Sequence, residues 1–417
     1  MTTVQSAAQP ASKLASWRTP GVIVVCGCVI AMLSFGPRSA AGQFLNPMSF
    51  AYGWGREVFS WALAWQNLLW GAFQPFAGAV ADRYGAVRVL WIGAIAYAAG
   101  LIMMAHASTA GLLDISAGLL IGFALSSCSF TIVIGAFGKL LPEAWRSLAF
   151  GLGTAAGSFG QFLFSPLAHL LIDATGWQNA LVSFGGMMLL ILPLALALAT
   201  PRVEAPADVA PRPQQSVVQA LSEAVRHRSY VLLVLGFFTC GFQLAFITVH
   251  LPAYLVDRGL SASVGAWTIA FIGLFNIVGS MLSGWLGNRM PKRYILSVIY
   301  FARSAAVVAF ILLPPSPASA LVFGALMGFL WLSTVPPTSG LVALMFGTRW
   351  LSMLFGFAFF SHQVGGFLGV LLGGFAFEHT GSYDAVWWLS VLFGVLSAVI
   401  NLPIVEKPVA RAAVAPA

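Results

Sequence analysis

The sequence predicts an all-α integral membrane chain of twelve transmembrane helices in two six-helix halves, and three observations carry that prediction. Hydrophobic residues make up 59% of the 417 and charged residues only 8%, against about a quarter charged in an average soluble domain. Apolar runs recur from Gly21–Phe35 to Ala385–Leu402 with short polar loops between them, and crossing a bilayer core of roughly 30 Å needs about 20 helical residues. The second half of the chain also repeats features of the first at a nearly constant offset.

The apolar runs place spans 1 to 6 near residues 20–45, 58–81, 88–106, 110–136, 147–171 and 178–199. Spans 7 to 12 follow near 229–253, 264–287, 293–313, 318–341, 350–377 and 385–404. Residues 1–19 lack the apolar run and cleavage site of a signal peptide and read as a cytoplasmic tail. Residues 200–228 read as a cytoplasmic linker: Pro201–Gln215 is rich in Pro and Ala, and a short amphipathic helix is expected around Val217–Val225. The halves are then 20–199 and 229–404, with a second cytoplasmic tail over 405–417. Cys26, Cys28, Cys128 and Cys240 all fall inside apolar spans. They read as small apolar filler rather than as metal ligands or a disulfide, and no cofactor motif is present.

A net charge of +8 would point to nucleic acid in a soluble protein, but here the distribution of the charge matters more. Placing the N-terminus in the cytoplasm puts the loop cations, from Lys13 and Arg18 through Lys139 and Arg226 to Lys407 and Arg411, on one side. Only Arg56 and Arg258 fall on the other. Such a bias sets topology, so both termini are expected in the cytoplasm of a bacterial cell, with the chain multi-pass in the inner membrane. Arg38 and Arg303 remain, and both lie within spans.

Shifting the chain by about 205 residues aligns the halves: Gly36-Pro37-Arg38 falls on Gly241-Phe242-Gln243, and Gly78 and Arg83 fall on Gly284 and Arg289. Gly122-Phe123 falls on Gly328-Phe329, and Thr175-Gly176 on Thr380-Gly381. An ordered series of this kind marks six spans followed by six similar ones, the two-half pattern of secondary transporters. Between spans 2 and 3, Gly78-Ala-Val-Ala-Asp82-Arg83-Tyr-Gly85-Ala-Val-Arg88 resembles the loop motif of the major facilitator superfamily, with a degenerate echo at Gly284-Trp-Leu-Gly-Asn288-Arg289. The resemblance implies the major facilitator fold, a monomer, and alternating access by rocking of the halves. It also implies that Asp82, Arg83 and Arg88 take part in gating, that spans 1, 4, 7 and 10 line the central cavity, and that spans 2, 5, 8 and 11 flank it. The alternative for the motif is a merely solvated turn.

Arg38 is the most informative polar residue. A guanidinium in mid-membrane costs about 2.5–3.5 kcal/mol even on insertion scales, and no Asp or Glu lies deep in any span to pair with it. Arg38 is therefore available to an anionic substrate, or else it snorkels outward or bonds backbone carbonyls. Arg303, mid-span in helix 9, is either a second anion anchor or a structural arginine bonded to Asn276 or to carbonyls loosened by Pro336-Pro337. His250 in span 7 and His362-Gln363 in span 11 are candidates to orient a substrate or carry a proton, since histidine titrates near neutral pH. Gln161, Gln243, Asn276 and Ser280 are candidates for neutral hydrogen bonds, and Trp331 for a cavity wall. Each of these has packing or helix–helix adhesion as its alternative.

Two further stretches, Phe35-Gly36-x-Arg38 running on to Gly53-Trp54-x-Arg56, and His250-Leu-Pro-Ala-Tyr254-x2-Asp257-x-Gly259, resemble the bacterial branch of monocarboxylate and oxalate/formate porters. That resemblance implies small carboxylate substrates, moved with a proton or by exchange. The branch's span-8 arginine is absent: Asn276 stands at the first position of its motif and Ser280 at the second. The expected function is thus secondary transport of a small organic anion, a monocarboxylate first of all. The rival is an exporter of drugs or neutral metabolites in which Arg38 is structural. No paired carboxylates, metal-ligand cluster or nucleophile motif points to an enzyme, and no nucleic-acid partner is expected.

Overall fold

The computed structural model describes residues 17–199, 216–347 and 350–409. Most of the two expected tails and the Pro201–Gln215 stretch of the linker lie outside the described residues. Among the described residues every regular element is a helix.

The helices follow the apolar runs closely. Span 1 is Pro20–Ser39, prolonged by a 3-10 turn and a short helix Leu45–Tyr52. Span 2 is Arg56–Tyr84, span 3 Ala86–Ala105, span 5 Glu143–Thr175, and span 6 begins as Trp177–Met188. In the second half, span 7 is Arg228–Asp257, span 8 Ala262–Leu286, span 9 Lys292–Leu312, span 11 Leu351–Thr380 and span 12 Asp384–Asn401. Eleven of the spans are long and apolar enough to cross a bilayer by length and composition. The remaining one, span 2, is more polar because it carries Gln66, Asn67 and Gln74, which meet the Ala117 carbonyl, Arg38 and Ser129 of spans 4 and 1. The short amphipathic helix before span 7 is Val217–Arg226, started by a capping box of Ser216 and Gln219.

The spans are apolar all round, as membrane solvation demands. Span 3 buries Leu90, Ala94, Tyr97 and Leu101 on one face and exposes Trp91, Ile92 and Ile95 on the other. Each half has its own apolar core, one built around Phe44, Tyr97, Phe137 and Phe184, the other around Phe246, Tyr300, Phe323 and Trp387.

The repeat is visible in detail. Gly176 and Gly381, the glycines of the two Thr-Gly pairs, have φ of +84° and +68° and turn spans 5 and 11 into the helices that follow. Such backbone is strained for any residue with a Cβ, which accounts for the glycine at both places. Spans 4 and 10 are both broken in the membrane, at corresponding points: span 4 between Ile121–Ser127 and Phe130–Leu140, span 10 between Pro317–Leu330 and Val335–Phe346. In span 10 the cause is Pro336-Pro337, which supply no N–H and crowd the preceding turn. Discontinuous helices at matched positions of two halves are a hallmark of secondary transporters.

The halves meet along two seams, span 2 against span 11 and span 5 against span 8. Contact is close toward the face remote from the termini. A Cβ on Gly366 would lie 3.4 Å from Asn67 Oδ1, one on Gly71 2.8 Å from Gln363, and one on Gly273 2.6 Å from the Ser158 carbonyl. Nearer the face carrying the termini, a Cβ on Gly78, Gly151 or Gly356 would meet nothing within 4 Å. The halves are closed against each other at the far face.

Candidate functional site

Arg38 is placed where span 1 meets spans 2 and 3. Pro37 precedes it, and the helix ends two residues later at Ala40. Its Nη2 donates to Asn67 Oδ1 at 2.5 Å, and its Cζ lies 5.0 Å from the Trp70 ring. Asn67 is held in turn by the Leu63 carbonyl, to which its amide donates at 2.8 Å. Nε is buried with no partner, and no acidic side chain pairs with the guanidinium among the described residues. One bond and one ring face leave most of the five N–H donors of an arginine unmet.

Around this guanidinium the two halves contribute a run of rings. Trp70 packs edge-on against Phe35 at 6.5 Å and against Phe359 of span 11 at 5.5 Å. Phe359 stacks on His362 at 5.6 Å with the planes 10° apart, and His362 reaches Phe237 of span 7 at 5.0 Å. His362 Nδ1 is 3.1 Å from Gln363 Oε1, and the Gln363 amide nitrogen is buried without a partner. The indole of Trp70 donates to Gln74 Oε1 at 3.1 Å. The Gln74 amide donates to Ser129 and Thr131 at 2.9 and 2.6 Å, beside the break in span 4. Gln363 lies on the seam against Gly71, Arg38 reaches it through Asn67 and Trp70, and His362 packs one ring further on, against Phe237 of its own half. Asn67, Trp70 and Gln74 belong with them, and nothing in the sequence ranked those three above other polar or aromatic residues of the spans.

The other candidates lie elsewhere. Arg303 is fully buried and bonded throughout: Nε and Nη2 donate to the Leu330 carbonyl at 3.1 and 2.6 Å, Nη2 also to the Trp331 carbonyl, and Nη1 to Gln243 Oε1 at 3.4 Å. It supplies the donors that the break in span 10 removes. Gln243 therefore faces the interior of its own half, where its amide also donates to the Ser390 carbonyl at 3.0 Å. His250 is buried between spans 7 and 11, with Nε2 2.8 Å from the Val370 carbonyl and Nδ1 unpartnered. Asn276 accepts from the Leu332 N–H at 2.9 Å and donates to Ser158 of span 5 at 2.8 Å, so it ties the span-10 break across the second seam. Ser280 bonds back to its own helix at Asn276 and Ile277, and Gln161 donates across the same seam to the Ile269 carbonyl at 3.4 Å. Trp331 is buried in the core of the second half rather than on a cleft wall. Arg83 and Arg88 are exposed on the face of the termini, Arg83 over the Tyr84 ring at 5.3 Å. The side chain of Asp82 lies outside the described residues. Gly85, with φ +94°, makes the tight turn of that loop.

The far face holds a feature the sequence reading passed over. Arg56, the first residue of span 2, donates Nη1 and Nη2 to the two carboxylate oxygens of Asp257 at 2.5 and 2.6 Å, and Nη1 also to Tyr383 Oη at 2.7 Å. Its Cζ lies 3.7 Å from the Phe377 ring centroid. Burial pushes the Tyr383 hydroxyl well above the usual tyrosine range, partly offset by Arg56. Glu378 of span 11 packs against Gly55, at the start of span 2. The first half is thus clamped to three elements of the second where the cleft is closed. The signal was present: Arg56 and Asp257 occur in the two stretches quoted for the porter resemblance, and Arg56 is one of the two loop cations stranded on the far side.

Two six-helix halves with matched helix breaks are the architecture of a secondary transporter. The pattern described as Major Facilitator Superfamily matches residues 27–370, and the chain belongs to that family. It is a multi-pass membrane transporter and not an enzyme. The chain is 28% identical over 395 residues to the uncharacterized MFS-type transporter YcxA of Bacillus subtilis (strain 168), covering 92% of this chain and 94% of the relative. It is 26% identical over 382 residues to monocarboxylate transporter 11 of Homo sapiens, covering 88% and 79%. Among solved structures it is similar to a bacterial homolog of the human lysosomal transporter Spinster, inward-facing and unoccupied, with TM-score 0.74, 16% identity, and 93% and 97% of the two chains covered. It is also similar to the D-xylose-proton symporter, with TM-score 0.69, 14% identity, and 93% and 98% covered. At these identities the two structures speak for the fold alone.

Proposed function

We propose that this protein is a secondary active transporter of a small organic anion, a monocarboxylate, across a bacterial inner membrane, with both termini cytoplasmic and a proton as the coupling ion. The observation that carries the reading is the contrast between the two intramembrane arginines. Arg303 makes four bonds, whereas Arg38 makes one, has a buried unpartnered Nε, and reaches the seam between the halves through Asn67. An uncompensated guanidinium there attracts a carboxylate, which takes two parallel N–H···O bonds from it. The monocarboxylate transporter relatives support the same substrate class. With no carboxylate deep in the spans, His362 is the candidate to carry the proton, with Trp70 and Phe359 between it and Arg38. Uptake of lactate by proteoliposomes, with and without a pH gradient, tests the proposal. Accumulation driven by an inward proton gradient and lost in Arg38→Gln is expected. Absence of uptake for every carboxylate tried would overturn it.

A further inference from the structure

We infer that a single halide ion, chloride first of all, binds inside the first half between the Arg38 guanidinium and the Tyr97 hydroxyl. The inference goes beyond the carboxylate reading and does not require it, because the site is too small for an organic acid.

Arg38 and Tyr97 line one small cavity between spans 1, 2, 3, 4 and 6. Its volume is about 20 Å³, and a single water needs roughly 10–15 Å³, so it takes one atom-sized occupant and no carboxylate. The walls are otherwise mostly apolar, with Phe44, Leu101, Met104 and Phe184 among them. Gln66 is the third polar residue of the wall, and its amide donates to the Ala117 carbonyl. Arg38 Nε and Tyr97 Oη are both buried without a partner, and Tyr97 is buried completely. The two residues are near enough for the guanidinium charge to act on the Tyr97 hydroxyl. Each of these atoms carries a hydrogen to donate. Two unmet donors at one small cavity, one of them on a cation, are the chemistry of an anion site. A water would accept from both but bring no counter-charge, and no acidic side chain pairs with Arg38 among the described residues. A halide accepts from both, neutralises the guanidinium, and asks for no acceptor from an apolar wall. Nη2 remains with Asn67, so the other edge of the same guanidinium still reaches toward the seam.

The test follows the quadrupolar NMR line width of chloride with the purified full-length protein in lipid nanodiscs, in sodium sulfate as background salt. Broadening that bromide removes and further sulfate does not is expected, since sulfate is too large for the cavity. Tyr97→Phe keeps the ring and loses the donor, and is expected to weaken chloride about tenfold or more. Arg38→Gln is expected to abolish chloride binding; should that variant not fold, Tyr97→Phe decides alone. Crystals grown in bromide are expected to show an anomalous peak beside Arg38 and Tyr97. Line widths no greater than with protein-free nanodiscs, or broadening unchanged by Tyr97→Phe, overturn the inference and leave the cavity to water. Halide binding without uptake of any carboxylate leaves this inference standing while the carboxylate reading falls, and lactate uptake without halide binding does the reverse.

Discussion

Replacing Asp257 with Asn removes the charge that holds Arg56 across the far face, and the structure sets the size of the effect. The pair is bidentate at 2.5 and 2.6 Å, with the Arg56 side chain 10% exposed and that of Asp257 30%. Two unit charges about 4 Å apart attract by about 4 kcal/mol at an effective dielectric near 20. Desolvation and lost side-chain freedom remove a large part of this, while the bidentate geometry keeps the pair above the roughly 0.2–1 kcal/mol of exposed ion pairs. A net contribution of about 2 kcal/mol remains. Span 2 and span 7 belong to different halves, so the pair exists only while the far face is closed. All of that contribution acts on the equilibrium between the two faces, and about 2 kcal/mol is roughly a thirtyfold change in the ratio. Spin labels on the far-face positions Ser108→Cys and Ala262→Cys, in a background without the four native cysteines, report that ratio as a distance distribution. Asp257→Asn is expected to raise the long-distance fraction relative to the short by about thirtyfold. Adding Arg56→Gln is expected to do little more, because both substitutions remove one shared interaction. An unchanged distribution, or full additivity of the two substitutions, would refute the clamp.

Other outcomes are expected from the same geometry. Arg38→Gln should abolish anion uptake while leaving expression and thermal melting near those of the parent, and retained uptake would make Arg38 structural. Arg303→Gln should instead lower the melting temperature in detergent, because it strands buried carbonyls at about 1–3 kcal/mol each; a stable variant defective only in transport would contradict that assignment. Gly366→Leu puts a branched side chain where Asn67 and Ala245 already lie within 3.5 Å, so the labels should report a far face that no longer closes. A closed population that persists would show that the seam can give way there. Because burial raises the Tyr383 hydroxyl above its usual range, the phenol stays protonated in the closed form. The closed population should hold from pH 7 to about 9.5 and fall only above about pH 10, where opening lets the phenol ionise. A fall beginning near neutrality would place another group in the clamp.

The spans, the loops and the repeat were legible because each rests on a local or periodic signal. Twenty apolar residues, a Thr-Gly turn and a Pro-Pro pair mean the same thing wherever they occur. The direction in which a polar side chain faces was less legible, since in a helix apolar all round no hydrophobic stripe fixes the phase. Gln243 and Arg38 are matched by the repeat, yet Gln243 turns into its own half to meet Arg303 and Ser390 while Arg38 reaches Asn67 and Trp70 beside the seam. By sequence His250 is on a cavity-lining span and His362 on a flanking one, yet packing holds the first against Val370 inside its own half and stacks the second on Phe359. The Arg56–Asp257 pair joins residues 201 apart, a separation at which charge pattern alone proposes many partners.

The asymmetry of the two arginines has a physical reason. Both broken spans expose backbone groups to a medium that cannot solvate them. The second half meets this with Arg303, Asn276 and Ser283, which together bond four of the groups freed near Leu330–Ser333. Its break is thereby locked, and its arginine is held by backbone carbonyls and Gln243. The break in the first half lies beside neutral Gln74, Ser129 and Thr131, so no cation is consumed there. Arg38 keeps a desolvation cost of about 2.5–3.5 kcal/mol, only partly offset by one amide and a ring face worth about 0.5–2 kcal/mol. In the proposed role that residual is relieved when an anion arrives. Asn67, which shares the guanidinium, backs directly onto Gly366 of span 11. In that proposed role, occupancy of Arg38 acts at the Asn67–Gly366 contact between the halves, which gives a bound anion a differential interaction with the two states of an alternating-access cycle and so a means of shifting them.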